Sequence, residues 1–216
     1  MQFITVSGPP SSGKTSVILR VLDVLETDTR KIGIVKFDCL STTDKEKFQA
    51  RGLAARVLLS KGICPDHYFA SHVEEAVHWG VTNGYSYLFS ESAGLCNRCS
   101  PHIKTVMAIC VIDCLSGVNT PKKIGPMLKY ADAVVITKGD IVSQAEREVF
   151  AAYVGFSNPN AELFFVNGIT GQGAFDFASF LKTAPAISSV AGKNIRFPMP
   201  AAVCAYCSGQ TGISAH

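Results

Sequence analysis

Apolar side chains along this chain fall into two alternating patterns: short continuous runs, and longer segments spaced by three and four. QFITVS (residues 2–7) reads as a short buried strand. From Lys14 the spacing turns helical, with Val17, Ile18, Val21, Leu22 and Leu25 on one face. KIGIVKF (31–37) reads as a second strand, and the polar DCLSTTDKEK after it as a loop entering a helix. Gly62 to Ala70 reads as irregular, and SHVEEAVHWGV (71–81) as a helix with Val73, Ala76, Val77 and Val81 on one side. YSYLFSE (85–91), KTVMAICVID (104–113), AVVIT (133–137) and AELFFV (161–166) are further strands; SQAEREVFAAYV (143–154) and QGAFDFASFL (172–181) are further helices. Strands alternating with helices predict an α/β fold, three layers (α/β/α) around a mostly parallel sheet. From Ser188 the periodicity stops and Gly, Pro, Ser and Ala dominate around a thiol pair. The expected organisation is one domain over 1–187 and a cysteine-containing tail over 188–216, ordered by something it binds.

Composition narrows the function. Charged residues make up only 17% of the 216 residues, against about 25% in typical domains, so part of the surface is expected to be covered by a second subunit. A net charge of +3 without a Lys/Arg block gives no case for nucleic acid. The apolar runs are strand-length, far short of the roughly 18 residues of a membrane span. MQFITVSGPP carries no basic leader, so a cytoplasmic protein is expected, where the eight cysteines serve metal, redox chemistry or burial rather than structural disulfides.

GPPSSGKT, Gly8 to Thr15, matches G-x-x-x-x-G-K-[ST] and lies between a strand and a helix, as a P-loop NTPase requires. Its N–H groups (Gly8, Ser11, Ser12, Gly13, with Ser16 following) are expected to cradle phosphates, Lys14 to reach the β/γ phosphates, and Thr15 to hold Mg²⁺. Thr137-Lys138-Gly139-Asp140 stands close to the N-K-x-D of guanine-binding proteins, with Asp140 placed to accept from the guanine edge and Lys138 to pack across the ring. Asp38 after the second strand is a candidate to orient water or touch the Mg²⁺ shell. Glu91 is a candidate to sense γ-phosphate and Mg²⁺, and Gly94 to bring a backbone N–H to the γ-phosphate.

These residues resemble the SIMIBI-class GTPases that insert nickel into urease and hydrogenase, with a nucleotide-binding domain of the CobW/HypB/UreG type. The likeness runs roughly from Phe3 to Leu181, through VKFDCLSTTD, GICPDH, ESAG, the segment leading to TKGD, and VNGITGQGAFDFASFL, where it implicates Asn167 in the base loop. It implies that Glu91 to Gly94 is the second switch and that Cys64 and His67 lie at a metal site. It also implies a GTP-dependent homodimer that hands a metal to a client enzyme. Thr137 in place of Asn is a departure and leaves the base open.

The thiols divide. Cys110 and Cys114 sit in or at the end of an apolar strand and read as buried small hydrophobes. Cys64 and His67, three apart, can share one Zn²⁺ or Ni²⁺. Cys96 and Cys99 form a C-x-x-C suited to Zn²⁺ or iron–sulfur ligation, with His102 able to join. Cys204 and Cys207 form a second pair. The two pairs can close a four-thiolate site in one chain, or Cys96 and Cys99 of two subunits can bridge a cluster. The expected function is a GTP-hydrolysing metallochaperone. The alternative is an ATPase that carries an iron–sulfur cluster or donates electrons; a kinase is disfavoured because Arg51 and Arg56 stand isolated, with no Arg-rich lid.

Overall fold

A computed structural model describes residues 1–25, 28–40, 43–61 and 64–198. The chain runs β1 (Gln2–Ser7), α1 (Lys14–Val24), β2 (Ile32–Asp38), α2 (Asp44–Gln49), β3 (Ala54–Leu59), α3 (Pro65–Thr82), β4 (Tyr87–Ser92) and β5 (Met107–Asp113). It continues through α4 (Thr120–Lys123), α5 (Pro126–Lys129), β6 (Ala133–Thr137), α6 (Gln144–Ser157), β7 (Glu162–Phe165) and α7 (Ala174–Leu181). The strands form one seven-stranded sheet in the order β3-β2-β4-β1-β5-β6-β7, and every pairing is parallel. The expected three-layer α/β architecture is borne out. Among the described residues no helix is long and apolar enough to cross a membrane.

The central strands are buried along their whole length, as strands covered on both faces must be. Ile4 and Val6 of β1 pack with α1 and α7, through Val17, Ile18, Val21, Phe177 and Leu181. Phe3 points to the opposite layer, where Val35, Phe37 and Leu88 meet Phe69, Val73 and Val77 of α3. Farther along the sheet, Ile112, Val134 and Ile136 are covered by Met127 and Leu128 of α5 and by Phe150 and Val154 of α6.

Two elements differ from the sequence reading. The edge strand β3 lies in a stretch with no clear alternation, since AARVLL is only half-buried at the sheet margin. Helix α3 begins at Pro65 rather than Ser71, so the segment read as irregular contains its first turns. Proline occupies the first helical position, where its missing N–H costs nothing, and Cys64 caps the end with its carbonyl accepting from His67 N (3.1 Å) and Tyr68 N (3.0 Å).

Beyond Ser188 the chain continues along the domain. Glu74 of α3 accepts from Ser189 Oγ (2.9 Å) and Val190 N (2.8 Å), and Ile195 bridges to Ile103. Arg196 then makes a two-pronged pair with Asp132 (2.7 Å on each arm) and donates to the carbonyls of Ile103, Tyr130 and Val106. Replacing Arg196 with alanine frees all of these acceptors, and is expected to lower unfolding stability by about 1–3 kcal/mol in urea titration. Cys204 and Cys207 lie outside the described residues.

Candidate functional site

The C-terminal ends of parallel strands are where such sheets gather their loops, and the strand order β2-β4-β1 brings three functional segments side by side. Thr15 opens α1 and donates its hydroxyl to both oxygens of Glu91, at 2.9 and 3.0 Å. Glu91, 1% exposed at the end of β4, stands in register with Val6 of β1 and Lys36 of β2. The Lys36 ammonium donates to Glu91 Oε1 (2.7 Å) and also to Asp44, and it lies 3.9 Å from Asp38. Burial opposes its charge, yet Glu91 and Asp44 outweigh that and raise its pKa; Asp44 is correspondingly held well below the usual carboxylate range. Lys36 and Asp44 were not singled out by the sequence reading. A lysine inside the apolar run KIGIVKF was the available signal, because a buried charge needs a partner.

Lys14 is folded against backbone, donating to the carbonyls of Gly8 and Pro9 at 2.8 Å and to Ala93 at 3.5 Å. Burial lowers its pKa to about 8, against the attraction of Glu91. Ser11, Gly13, Thr15, Ser16, Asp38 and Leu95 share with Lys14 and Glu91 the lining of a cleft of about 500 Å³. Asp38 accepts from the Cys39 N–H (2.8 Å) at its rim. Gly94 closes the floor: at φ +72° its backbone lies so near the phosphate loop that a Cβ there would stand 1.7 Å from the Gly8 carbonyl oxygen. Gly8 is equally confined against Val111 O, at 2.0 Å. Ser12, fully buried beside them, offers its carbonyl to the Thr137 hydroxyl (2.7 Å), so Thr137 ties β6 to the phosphate loop and faces away from solvent.

A second cleft of about 290 Å³ adjoins this one and is lined by Gly139, Asp140, Arg147, Phe165, Asn167 and Gln172, among others. Lys138, in left-handed backbone at φ +56°, lines the first cleft with its ammonium on Ser11 O (2.9 Å). Asn167 accepts from the N–H groups of Ile169 (2.8 Å) and Thr170 (3.0 Å), which shapes its loop. Hard oxygen donors at Glu91, Asp38 and Asp44, gathered around the Lys36 ammonium, and at Thr15, whose hydroxyl is on Glu91, suit Mg²⁺.

Close to the end of β4 lies a sulfur cluster. The Sγ atoms of Cys64, Cys96 and Cys99 are all within 4.8 Å of one another, and His67 Nδ1 is 4.0 Å from Cys99 Sγ. Cys64 is drawn down to about 5 by its contact with Cys99, helped by His67 and the N–H groups of the helix start, while burial works against it. Cys99 is raised by the same contact and by burial. Three sulfurs and an imidazole are a soft donor set, fitted to Zn²⁺, Ni²⁺ or iron rather than to Mg²⁺. The sequence placed Cys64 and His67 in one candidate site and Cys96 and Cys99 in another; the fold merges them.

His102 does not join. Fully buried, it contacts Thr5 Oγ1 (3.0 Å), Ser7 Oγ (3.1 Å) and Met127 O (3.0 Å), and burial lowers its pKa to about 3, so the ring is neutral. Cys110 is fully buried in β5, and Cys114 is buried beside an apolar hollow lined by Val118, Val149 and Phe150.

Residues 2–165 match the family described as CobW/HypB/UreG, nucleotide-binding domain. The chain is 44% identical over 214 residues to an uncharacterized protein, MJ0120, of Methanocaldococcus jannaschii, covering 99% of this chain and 91% of that one. It is 26% identical over 190 residues to the urease accessory protein UreG of Trichodesmium erythraeum, covering 82% and 88%. Its fold is similar to that of the hydrogenase maturation factor HypB of Archaeoglobus fulgidus, with a TM-score of 0.67 and 22% identity over 84% of this chain and 89% of that one. It is also similar to HypB of Helicobacter pylori in complex with nickel, with a TM-score of 0.66 and 19% identity over 88% and 91%.

Proposed function

From the premise that the chain belongs to the CobW/HypB/UreG nucleotide-binding family, we propose that it is a GTP-hydrolysing metallochaperone that binds a soft metal ion and delivers it to a client metalloenzyme. The observation that carries this reading is the placement of three thiols and His67 directly behind the second switch. In it, Lys14 and the N–H groups of the phosphate loop bind the triphosphate, Thr15, with Glu91 behind it, holds Mg²⁺, and Asp38 orients the attacking water. Mg²⁺, when bound, neutralises phosphate charge. Asp140 and Asn167 hold the base. Cys64, Cys96, Cys99 and His67 hold the cargo, for which a mononuclear Zn²⁺ or Ni²⁺ is favoured because the sulfurs converge within one chain. Exposed apolar residues around the phosphate cleft, Leu40 at 74% and Leu95 at 57%, support a nucleotide-dependent homodimer closing over that face.

Metal analysis of protein purified without oxygen tests the cargo: zinc or nickel without sulfide supports the reading, whereas iron with sulfide favours the cluster-carrier alternative. The base preference is tested by displacement of a fluorescent GTP analogue. GTP is expected to compete at least about tenfold better than ATP, and Asp140→Ala to weaken GTP by roughly 10–100-fold through loss of charged hydrogen bonds. Preferential displacement by ATP would overturn the guanine assignment.

A further inference from the structure

Two residues connect the nucleotide cleft to the sulfur cluster, and neither belongs to the machinery described so far. Asp66 lies between Cys64 and His67 in the first turn of α3, 1% exposed. Its Oδ1 accepts from the hydroxyl of Ser92 at 2.5 Å, and Ser92, also 1% exposed, lies between Glu91 and Gly94 in the second switch. The Ser92 oxygen in turn accepts from the Gly94 N–H at 3.4 Å. A continuous chain of contacts therefore runs from the backbone that touches Gly8 of the phosphate loop to the turn that carries Cys64.

A purely structural origin fits this arrangement poorly. The second oxygen of Asp66, Oδ2, is buried and accepts no hydrogen bond among the described residues. A carboxylate buried on a single hydroxyl is a costly way to fill space, which an apolar side chain would fill without desolvation. What Asp66 does have is position. The Cys64 carbonyl accepts from His67 N and Tyr68 N, so the turn moves as a unit and Asp66 cannot shift without carrying Cys64. Cys96 is tied to the same point by the chain itself, two residues beyond Gly94, with at most about 3.5 Å of reach per residue. Both arms of the sulfur cluster thus originate at Ser92–Gly94.

We propose that the Ser92–Asp66 hydrogen bond is the link through which nucleotide binding sets the spacing of the thiolate site, with Asp66 as a positioning residue for Cys64. When the Gly94 N–H turns to a γ-phosphate, Ser92 loses its donor, and the bond to Asp66 transmits the adjustment to Cys64 while the backbone transmits it to Cys96. This rests on the metal-delivery reading above. By linkage, whatever factor the nucleotide imposes on metal affinity, the metal imposes on nucleotide affinity.

The test is a coupling measurement on the full chain. Zn²⁺ affinity is determined by competition with a chromophoric chelator, without nucleotide and with Mg²⁺ and a non-hydrolysable imido analogue of GTP. The parent chain is expected to show a ratio between the two conditions within the usual allosteric range of about 5–150-fold. Ser92→Ala and Asp66→Ala are each expected to bring that ratio to within about twofold of one, and the double variant no further, since both cut the same link. A merely structural role would lower melting temperature and both affinities together and leave the ratio as it is. Single variants that melt like the parent and keep its ratio would overturn the link. A parent chain that binds Zn²⁺ equally well in both conditions overturns it too, with metal binding left standing; a parent chain that binds no Zn²⁺ overturns the metal-delivery reading along with it.

Discussion

Gly94→Ala is expected to lower affinity for GTP with Mg²⁺ by roughly 100-fold, about 2.8 kcal/mol, while the protein still melts within a few degrees of the parent. The built methyl group would stand 1.7 Å from the Gly8 carbonyl oxygen and 2.8 Å from its carbonyl carbon. Both obstacles are backbone atoms of the phosphate loop rather than the end of a flexible side chain, so the contact is not relieved by a rotamer change. The φ of +72° adds about 1 kcal/mol for any residue with a Cβ. The cheapest relaxation is retreat of the second switch from the phosphate loop, which removes the Gly94 N–H from the γ-phosphate position and draws Ala93 O off Lys14. The core packing on either face of the sheet is untouched, which is why the melt should change little. Titration of a fluorescent GTP analogue, paired with a thermal melt, distinguishes this from unfolding; parent-like affinity would show that the switch backbone need not sit where it does.

Cys99→Ser carries the second large effect. Cys99 is 1% exposed and lies within reach of Cys64, Cys96 and His67, so it is the hub of the donor set. A serine hydroxyl is a hard ligand that stays protonated at neutral pH and cannot replace a thiolate for a soft ion. Metal affinity is expected to fall by at least about 100-fold, beyond the 10–100-fold typical of losing only an outer-shell partner. Cys114→Ala, remote in the apolar hollow near α6, should leave metal affinity at the parent value. Chelator competition on both variants decides the matter, and parallel losses would mean that the cluster assignment is wrong.

The phosphate loop was legible from sequence because its chemistry is local: eight consecutive residues supply the glycines, the lysine and the hydroxyl, and the flanking strand and helix have their own periodicity. The sulfur cluster was legible only in halves, because Cys64 and Cys96 meet through the packing of α3 on β4, which no spacing along the chain encodes. Asp66 gave no signal at all: a lone aspartate beside a proline is ordinary until Ser92 is seen against it. His102 misled for the opposite reason. Its spacing from Cys99 suits a ligand, but Thr5 and Ser7 alternate inward on β1 and claim both ring nitrogens.

That capture of His102 has a mechanical consequence for the loop before it. Cys99, Ser100 and His102 are buried and Ile103 is pinned by Ile195 and Arg196, whereas Leu95, Asn97 and Arg98 are exposed and Cys96 is half-buried. The loop is a cantilever, clamped at its far end and driven from the end at Gly94. Displacement in such a beam shrinks toward the clamp, so a shift imposed at Gly94 is expected to move Cys96 more than Cys99.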